Sequence, residues 1–224
     1  MFPFHIARPQ GCDIQTFYGG GGTVAQNQRV WNKPVGVSHI YMILIGGGGD
    51  GDGATGGGSG SVTVWYGAAQ NVPNSLIVSP SRGNGNDTTV TARFSNSVAA
   101  PTALLTAGGA TTISGGNPMS DTPFRVSGFC QSIGGEAGST GNITPSTTSF
   151  LSTGTDGGSS LVTANYGYNN ANGGTGNAGS GYFQMQPIIV GVGATSPQNG
   201  GIGCGGGSGG GGKGGAGMVL IASW

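Results

Sequence analysis

Two glycine tracts, residues 46–60 and 200–217, each open directly onto a dense apolar run. The first follows Ile40-Tyr-Met-Ile-Leu-Ile45 and leads into Ser61-Val-Thr-Val-Trp-Tyr66; the second leads into Met218-Val-Leu-Ile-Ala-Ser-Trp224. A tract tethered at both ends by strands is costly in entropy if it remains a floppy loop. Ordered glycine avoids that cost. Without side chains, polyproline II-like segments can lie side by side, and the N–H and C=O groups left unpaired within each segment can bond to its neighbours. The tracts therefore predict packed glycine segments tied to strands, not linkers.

Glycine accounts for 52 of 224 residues, in blocks rather than at every third position, which excludes collagen. Lys+Arg and Asp+Glu number 7 each, so there is no basic excess to neutralise phosphates and nucleic acid is not an expected partner. With so few charges, solubility rests on Ser, Thr, Asn and backbone. That suits a subunit in an assembly, and a homo-oligomer is expected. Cys12, Cys130 and Cys204 are widely separated, and neither a disulfide framework nor a CxxC zinc site is expected; the three are read as reduced thiols. The chain does not start with a positive charge followed by an apolar segment, and no apolar run nears the ~20 residues of a membrane helix. Synthesis in a cytoplasm, without membrane insertion, is the expectation.

Residues 1–15 read as an arm: Pro3 and Pro9 break helix, while Phe2, Phe4 and Ile6 can dock on the protein's own body or a neighbour. Residues 16–224 read as a single glycine-rich β domain. Residues 38–45 form the strongest strand, with Tyr41, Ile43 and Ile45 on one face and Ile40, Met42 and Leu44 on the other. A strand apolar on both faces belongs inside a buried sheet. Residues 61–66 alternate, with Val62, Val64 and Tyr66 opposed to Thr63 and Trp65; residues 75–79 and 88–94 are further strands. Residues 95–160 read as short strands and long loops, and strand character returns at 161–164 and 182–192. No amphipathic helix of three turns appears, since Gly and β-branched residues dominate. The fold class expected is all-β, a β-sandwich or jelly-roll-like domain with long glycine-rich, polyproline II-like segments.

Chemical motifs fail on inspection. Gly206-Gly-Ser208-Gly-Gly210 fits a nucleophile elbow only because the tract is glycine, and only His5 and His39 could serve as base. Lys213 ends a near-match to a phosphate-binding loop, but Gly214 stands where Ser or Thr should follow and a strand comes next. Asp50-Gly-Asp52 lacks the remaining ligands of a calcium loop and reads as a solvated turn. Glu136 has no acid nearby for paired-carboxylate chemistry. His39 reads as a hydrogen-bonded residue at the edge of the core. No catalytic, cofactor-binding or metal residue is assigned, and no cofactor is expected. Tyr166, Tyr168, Asn169 and Asn170 combine rigid aromatic area with adaptable polar groups, the chemistry of a receptor-contact loop.

The run from Trp31-Asn-Lys-Pro34-Val-Gly36 through Ile45 into Gly46-Gly-Gly-Gly49 resembles the glycine-rich domains of bacteriophage tail fibres and related virion surface proteins. In those domains a Trp-x-x-Pro-x-Gly turn leads into an apolar strand and then a glycine block. Residues 209–224 are similar to their closing strand. The resemblance covers roughly residues 23–66 and 200–224. It implies a β-rich, cofactor-free component of the virion surface, often a trimer. The expectation is a non-enzymatic structural virion protein of tail fibre or adhesin type, attaching to a host by binding a surface glycan or protein. Capsid (head) decoration is the alternative, and a secreted glycine-rich cell-surface or matrix protein is a further one. Partners would be other virion proteins and further copies of the chain, trimer favoured, on a particle surface assembled in the host cytoplasm.

Overall fold

The computed structural model describes residues 11–20, 27–52, 55–83, 86–92, 103–135, 137–138, 199–207 and 212–224, together with four two-residue strands between 155 and 189. In chain order the strands are β1 (Asp13–Tyr18), β2 (Arg29–Asn32), β3 (His39–Ile45), β4 (Val62–Ala68), β5 (Ser75–Ser79), β6 (Thr88–Ala92), β7 (Ala103–Ala107) and β8 (Phe129–Ile133), then the short β9 (Thr155–Asp156), β10 (Gly176–Asn177), β11 (Tyr182–Phe183) and β12 (Ile188–Ile189), and finally β13 (Met218–Ser223). Single 3-10 turns at Ala69–Asn71 and Arg125–Ser127 carry the chain between sheets.

The long strands form two antiparallel sheets. One has five strands in the order β1-β13-β3-β4-β8, the other four in the order β2-β5-β6-β7. The protein is all-β. β3 is the third of the five strands, where a strand apolar on both faces belongs, and its two faces enter different clusters. Ile40, Met42 and Leu44 meet Trp65, Val219 and Ile221 on their own sheet and Trp31, Leu76, Val78, Val90, Leu105 and Ala107 from the other. This is the sandwich core. Each fully buried side chain of this size contributes about 1.5–3 kcal/mol relative to exposure. Phe124 stacks on Trp65 with ring centroids 4.9 Å apart and extends the core past the sheet edge.

Tyr41, Ile43 and Ile45 point to the other side, with Val62, Met218 and Ala222, and are covered there in part by Ile202 and Cys204. The facing read from the alternation in residues 61–66 holds: Trp65 is in the core cluster and Val62 in the outer one.

One boundary differs from the sequence expectation. Asp13-Ile-Gln15, read as the end of an arm, already belongs to β1, with Asp13 opposite Ser223. Gln15 Nε2 donates to Asp13 Oδ2 at 2.8 Å, a polar pair that hides the strand signal. The stretch 182–192, which reads as strand, contains two short strands paired with each other, Tyr182 opposite Ile189. Within residues 95–160, which read as short strands and long loops, β7 and β8 are five-residue strands that join the two sheets. Residues 161–164 and most of the arm lie outside the described residues.

Beyond the sheets the chain folds into laterally bonded glycine segments. Tyr18, Ile45 and Met218 are register partners, so Gly19, Gly46 and Gly217 emerge at the same end of the sandwich. Gly19 N donates to Gly217 O at 2.9 Å, Gly48 N to Gly215 O at 2.8 Å, Gly51 N to Gly212 O at 2.8 Å, Gly57 N to Gly206 O at 2.8 Å and Gly60 N to Gly203 O at 2.8 Å. The loop after β7 joins them, with Ala110 N donating to Gly47 O and Gly58 N to Thr111 O. The described tract residues form neither helix nor sheet ladder, and most of their bonds run between segments, as the entropy argument requires.

Glycine serves proximity here more than torsional freedom. Only Gly203 of the described tract glycines has a left-handed backbone, with φ 71. A Cβ on Gly48 would overlap the Cys204 carbonyl, and one on Gly215 would overlap that of Gly201.

Candidate binding surface

At the end of the sandwich opposite the glycine segments, β3 begins with His39 and β13 runs out into Trp224. Trp224 N donates to His39 O at 3.1 Å and His39 N to Trp224 O at 3.0 Å, a reciprocal pair that extends the ladder by one residue. Ser38 N adds a bond to Trp224 O at 2.7 Å, and Ser38 Oγ one at 3.2 Å. The same hydroxyl lies 2.9 Å from His39 Nδ1. His39 is thus the hydrogen-bonded edge residue that its position in sequence suggests.

Tyr66 stands opposite Tyr41, one row further into the sheet. The three rings gather. His39 and Tyr66 have centroids 5.7 Å apart, His39 and Trp224 6.1 Å, and Tyr66 and Trp224 6.0 Å, with interplanar angles of 11°, 18° and 16°. Phe129 is the register partner of Tyr66 on β8, and both are exposed, at 51% and 37%.

The cluster borders the outer face of the five-stranded sheet. Three complete rows cross that face: Ile14, Ala222, Tyr41, Tyr66, Phe129; Thr16, Leu220, Ile43, Val64, Gln131; and Tyr18, Met218, Ile45, Val62, Ile133. None of these residues is Lys, Arg, Asp or Glu. Tyr41, Ile43, Ile45, Val62, Met218 and Ala222 are buried on this face, Thr16, Leu220, Val64 and Gln131 are half-buried, and Ile14, Tyr18, Tyr66 and Phe129 are exposed. Burial pushes the Tyr41 hydroxyl above its ordinary range and keeps it neutral.

The other residues singled out in the sequence have structural roles or lie elsewhere. Asp50 is not a solvated turn residue. Its carboxylate accepts from Lys213 Nζ at 2.9 Å and from Gly214 N at 2.9 Å, clamping two glycine segments together, with its side chain only 20% exposed. Sequence distance hid this partnership, since 163 positions separate Asp50 and Lys213. Asp52 closes its own turn by accepting from Thr55 N at 2.6 Å. Cys12, Cys130 and Cys204 are thiols that form no disulfide with one another. Burial raises the Cys130 thiol, an effect that the neighbouring Arg125 partly offsets. Among the described residues no three of His, Cys, Asp and Glu gather to hold a metal ion, and no helix is long and apolar enough to cross a membrane. Tyr166, Tyr168, Asn169 and Asn170 lie outside the described residues, as do Ser208, Glu136 and His5. The aromatic cluster was missed because its members are 27 and 158 positions apart (39 to 66, 66 to 224); strand parity alone places Tyr66 on the face of Tyr41. No protein-family model and no curated protein sequence matches this chain.

Proposed function

We propose that this chain is a structural protein of a bacteriophage virion surface, a tail fibre or adhesin-type component that attaches to a host by binding and not by turnover. The observation that best supports this is the ordered set of glycine segments on an all-β sandwich. Backbone bonds between Gly48 and Gly215, Gly51 and Gly212, and Gly57 and Gly206 make the tracts a rigid extension of the sheets. A rigid, almost uncharged body suits a mounted subunit better than a freely diffusing one. The resemblance of residues 23–66 and 200–224 to glycine-rich virion domains supplies the particle. Its partners are then other virion proteins, further copies of itself in a trimer, and a glycan or protein on the host surface.

Gold-labelled antibody imaging of purified particles tests this reading. Label at the tail tip or on fibres is the expected result. Label spread over the head would make the protein a capsid decoration. Particles without label would overturn the virion reading and favour a secreted surface or matrix protein. Light scattering at micromolar concentration should give the mass of a trimer, and a monomer mass would remove the oligomer.

A further inference from the structure

We infer that β1 is a docking edge for a second copy of this chain, whose own β1 pairs with it antiparallel about a two-fold axis at Thr16. β1 is the first of the five strands, with a strand beside it on one side only among the described residues. Hydrogen bonds at the two ends of β13 fix which backbone groups of β1 face outward. Trp224 bonds reciprocally to His39 on the β3 side, while the Gly217 carbonyl accepts from Gly19 N on the β1 side. Successive residues of a strand bond to opposite sides. Met218, Leu220, Ala222 and Trp224 therefore bond toward β3, and Val219, Ile221 and Ser223 bond to their register partners Phe17, Gln15 and Asp13. The N–H and C=O groups of Ile14, Thr16 and Tyr18 are left pointing away from the sheet.

Spacing makes this edge complementary to itself. Its outward groups are symmetric about Thr16, so an antiparallel copy centred there sets Ile14 against the partner's Tyr18 and Thr16 against the partner's Thr16. Each such pair is of the hydrogen-bonded kind, with two bonds. The side chains agree with the backbone. Ile14 and Tyr18 are 36% and 56% exposed on the same face, and the register turns each into half of an aromatic–β-branched pair. Asp13, the one charged residue of β1, falls opposite the partner's Gly19, and the two carboxylates lie about 20 Å apart at opposite ends of the contact. The other edges of the two large sheets are guarded in ways that β1 is not. β2 has four residues and carries the exposed Arg29. β7 meets β6 through a register shift at Val90/Thr91. β8 is flanked by the preceding loop, with Met119 N donating to Ser132 Oγ and Gly135 N to Gly116 O. β1 has six residues in unbroken register, without Lys, Arg or Pro. A two-fold contact cannot close a ring of three, so this one stands apart from the trimer proposed above: it joins two single chains, or two trimers into six copies.

Light scattering of the full chain at micromolar concentration, joined to residue-resolved hydrogen exchange, tests the contact. A mass of two or six copies is expected, and Thr16→Pro should halve it. The proline removes only an outward N–H, so pairing with β13 is kept. Tyr18→Lys should raise the concentration at which the mass halves about ten-fold, because a two-fold contact loses the Ile14–Tyr18 pair twice. In the wild type the amides of Ile14, Thr16 and Tyr18 should exchange slowly. In Thr16→Pro those of Ile14 and Tyr18 should become fast while Gln15 and Phe17 stay protected, which also shows that the variant is folded. Six copies would support both this contact and the trimer, and two copies this contact alone. Three copies would overturn the contact and leave the trimer standing; a single chain would remove both. Slow exchange at Ile14, Thr16 and Tyr18 in a single chain would mean that another segment covers the edge, against the proposal. So would a mass of two or six copies that neither substitution changes.

Discussion

Leu44 and Val219 face each other across β3 and β13 with both side chains buried in the sandwich core. A few residues beyond the ends of the same two strands, Gly48 and Gly215 also meet, but through a bond from N–H to carbonyl, with no room for a methyl group on either. In the first region cohesion comes from what the side chains bury. In the second it comes from the absence of side chains, which lets backbones approach and bond directly. The two regions should therefore fail in opposite ways. The sandwich is damaged by removing carbon, and the glycine segments by adding it.

The largest effect should come from Gly215→Ala. Its new methyl group meets the Gly201 carbonyl, and any shift disturbs the bonds to Cys204 O and from Gly48 N. A loss of about 3 kcal/mol or more is expected in denaturant unfolding. Leu105→Ala, in the core, should cost about 3 kcal/mol by the opposite route, a cavity. If Gly215→Ala were harmless, the contrast would collapse.

A third test uses pH. The Tyr41 hydroxyl is held above its ordinary value by burial, so both states are neutral below about pH 10 and its contribution is fully present there. As pH rises past that value the unfolded chain ionises and the folded one does not. Stability should then fall by up to about 1.4 kcal/mol per pH unit, and Tyr41→Phe should flatten the decline in a melting series. The backbone amides of the glycine segments do not titrate in this way.

Gly36→Ala separates torsion from crowding. Gly36 has φ +85 and open space around its Cβ position, so the expected cost is only about 1 kcal/mol by thermal unfolding. Smallest of all, Asp50→Asn removes the pairing with the mostly exposed Lys213 while keeping an oxygen to accept from Gly214 N. A loss of about 0.5 kcal/mol, shrinking in high salt, is expected from chemical denaturation.

Much of this division can be read from residue order. Ile40 to Ile45 gives the central strand and both its faces, because burial on two sides demands two apolar alternations. The lateral bonding of the tracts follows from tethering and unsatisfied backbone. Other parts depend on partners far along the chain. β7 and β8 are short, and their strand character is fixed by pairing with β6 and β4. Asp50 becomes a clamp only when the last tract is brought beside the first. Tyr66 and Trp224 become neighbours only through β3, which lies between their strands.

Uniform composition also leaves the glycine segments with a problem of alignment. A run of identical residues can slide along its neighbour and recover nearly every backbone bond one step later, so the glycines alone define many almost equivalent arrangements. The rare other residues work as index marks on this otherwise blank scale. Ser61 Oγ accepts from Gly108 N, Ser81 Oγ from Gly217 N, Asn199 Oδ1 from Lys213 N and Asp50 Oδ1 from Gly214 N. Each is satisfied at a single alignment. Replacing several of them together with glycine would leave the attraction between segments almost intact while erasing the information that chooses one alignment over its neighbours.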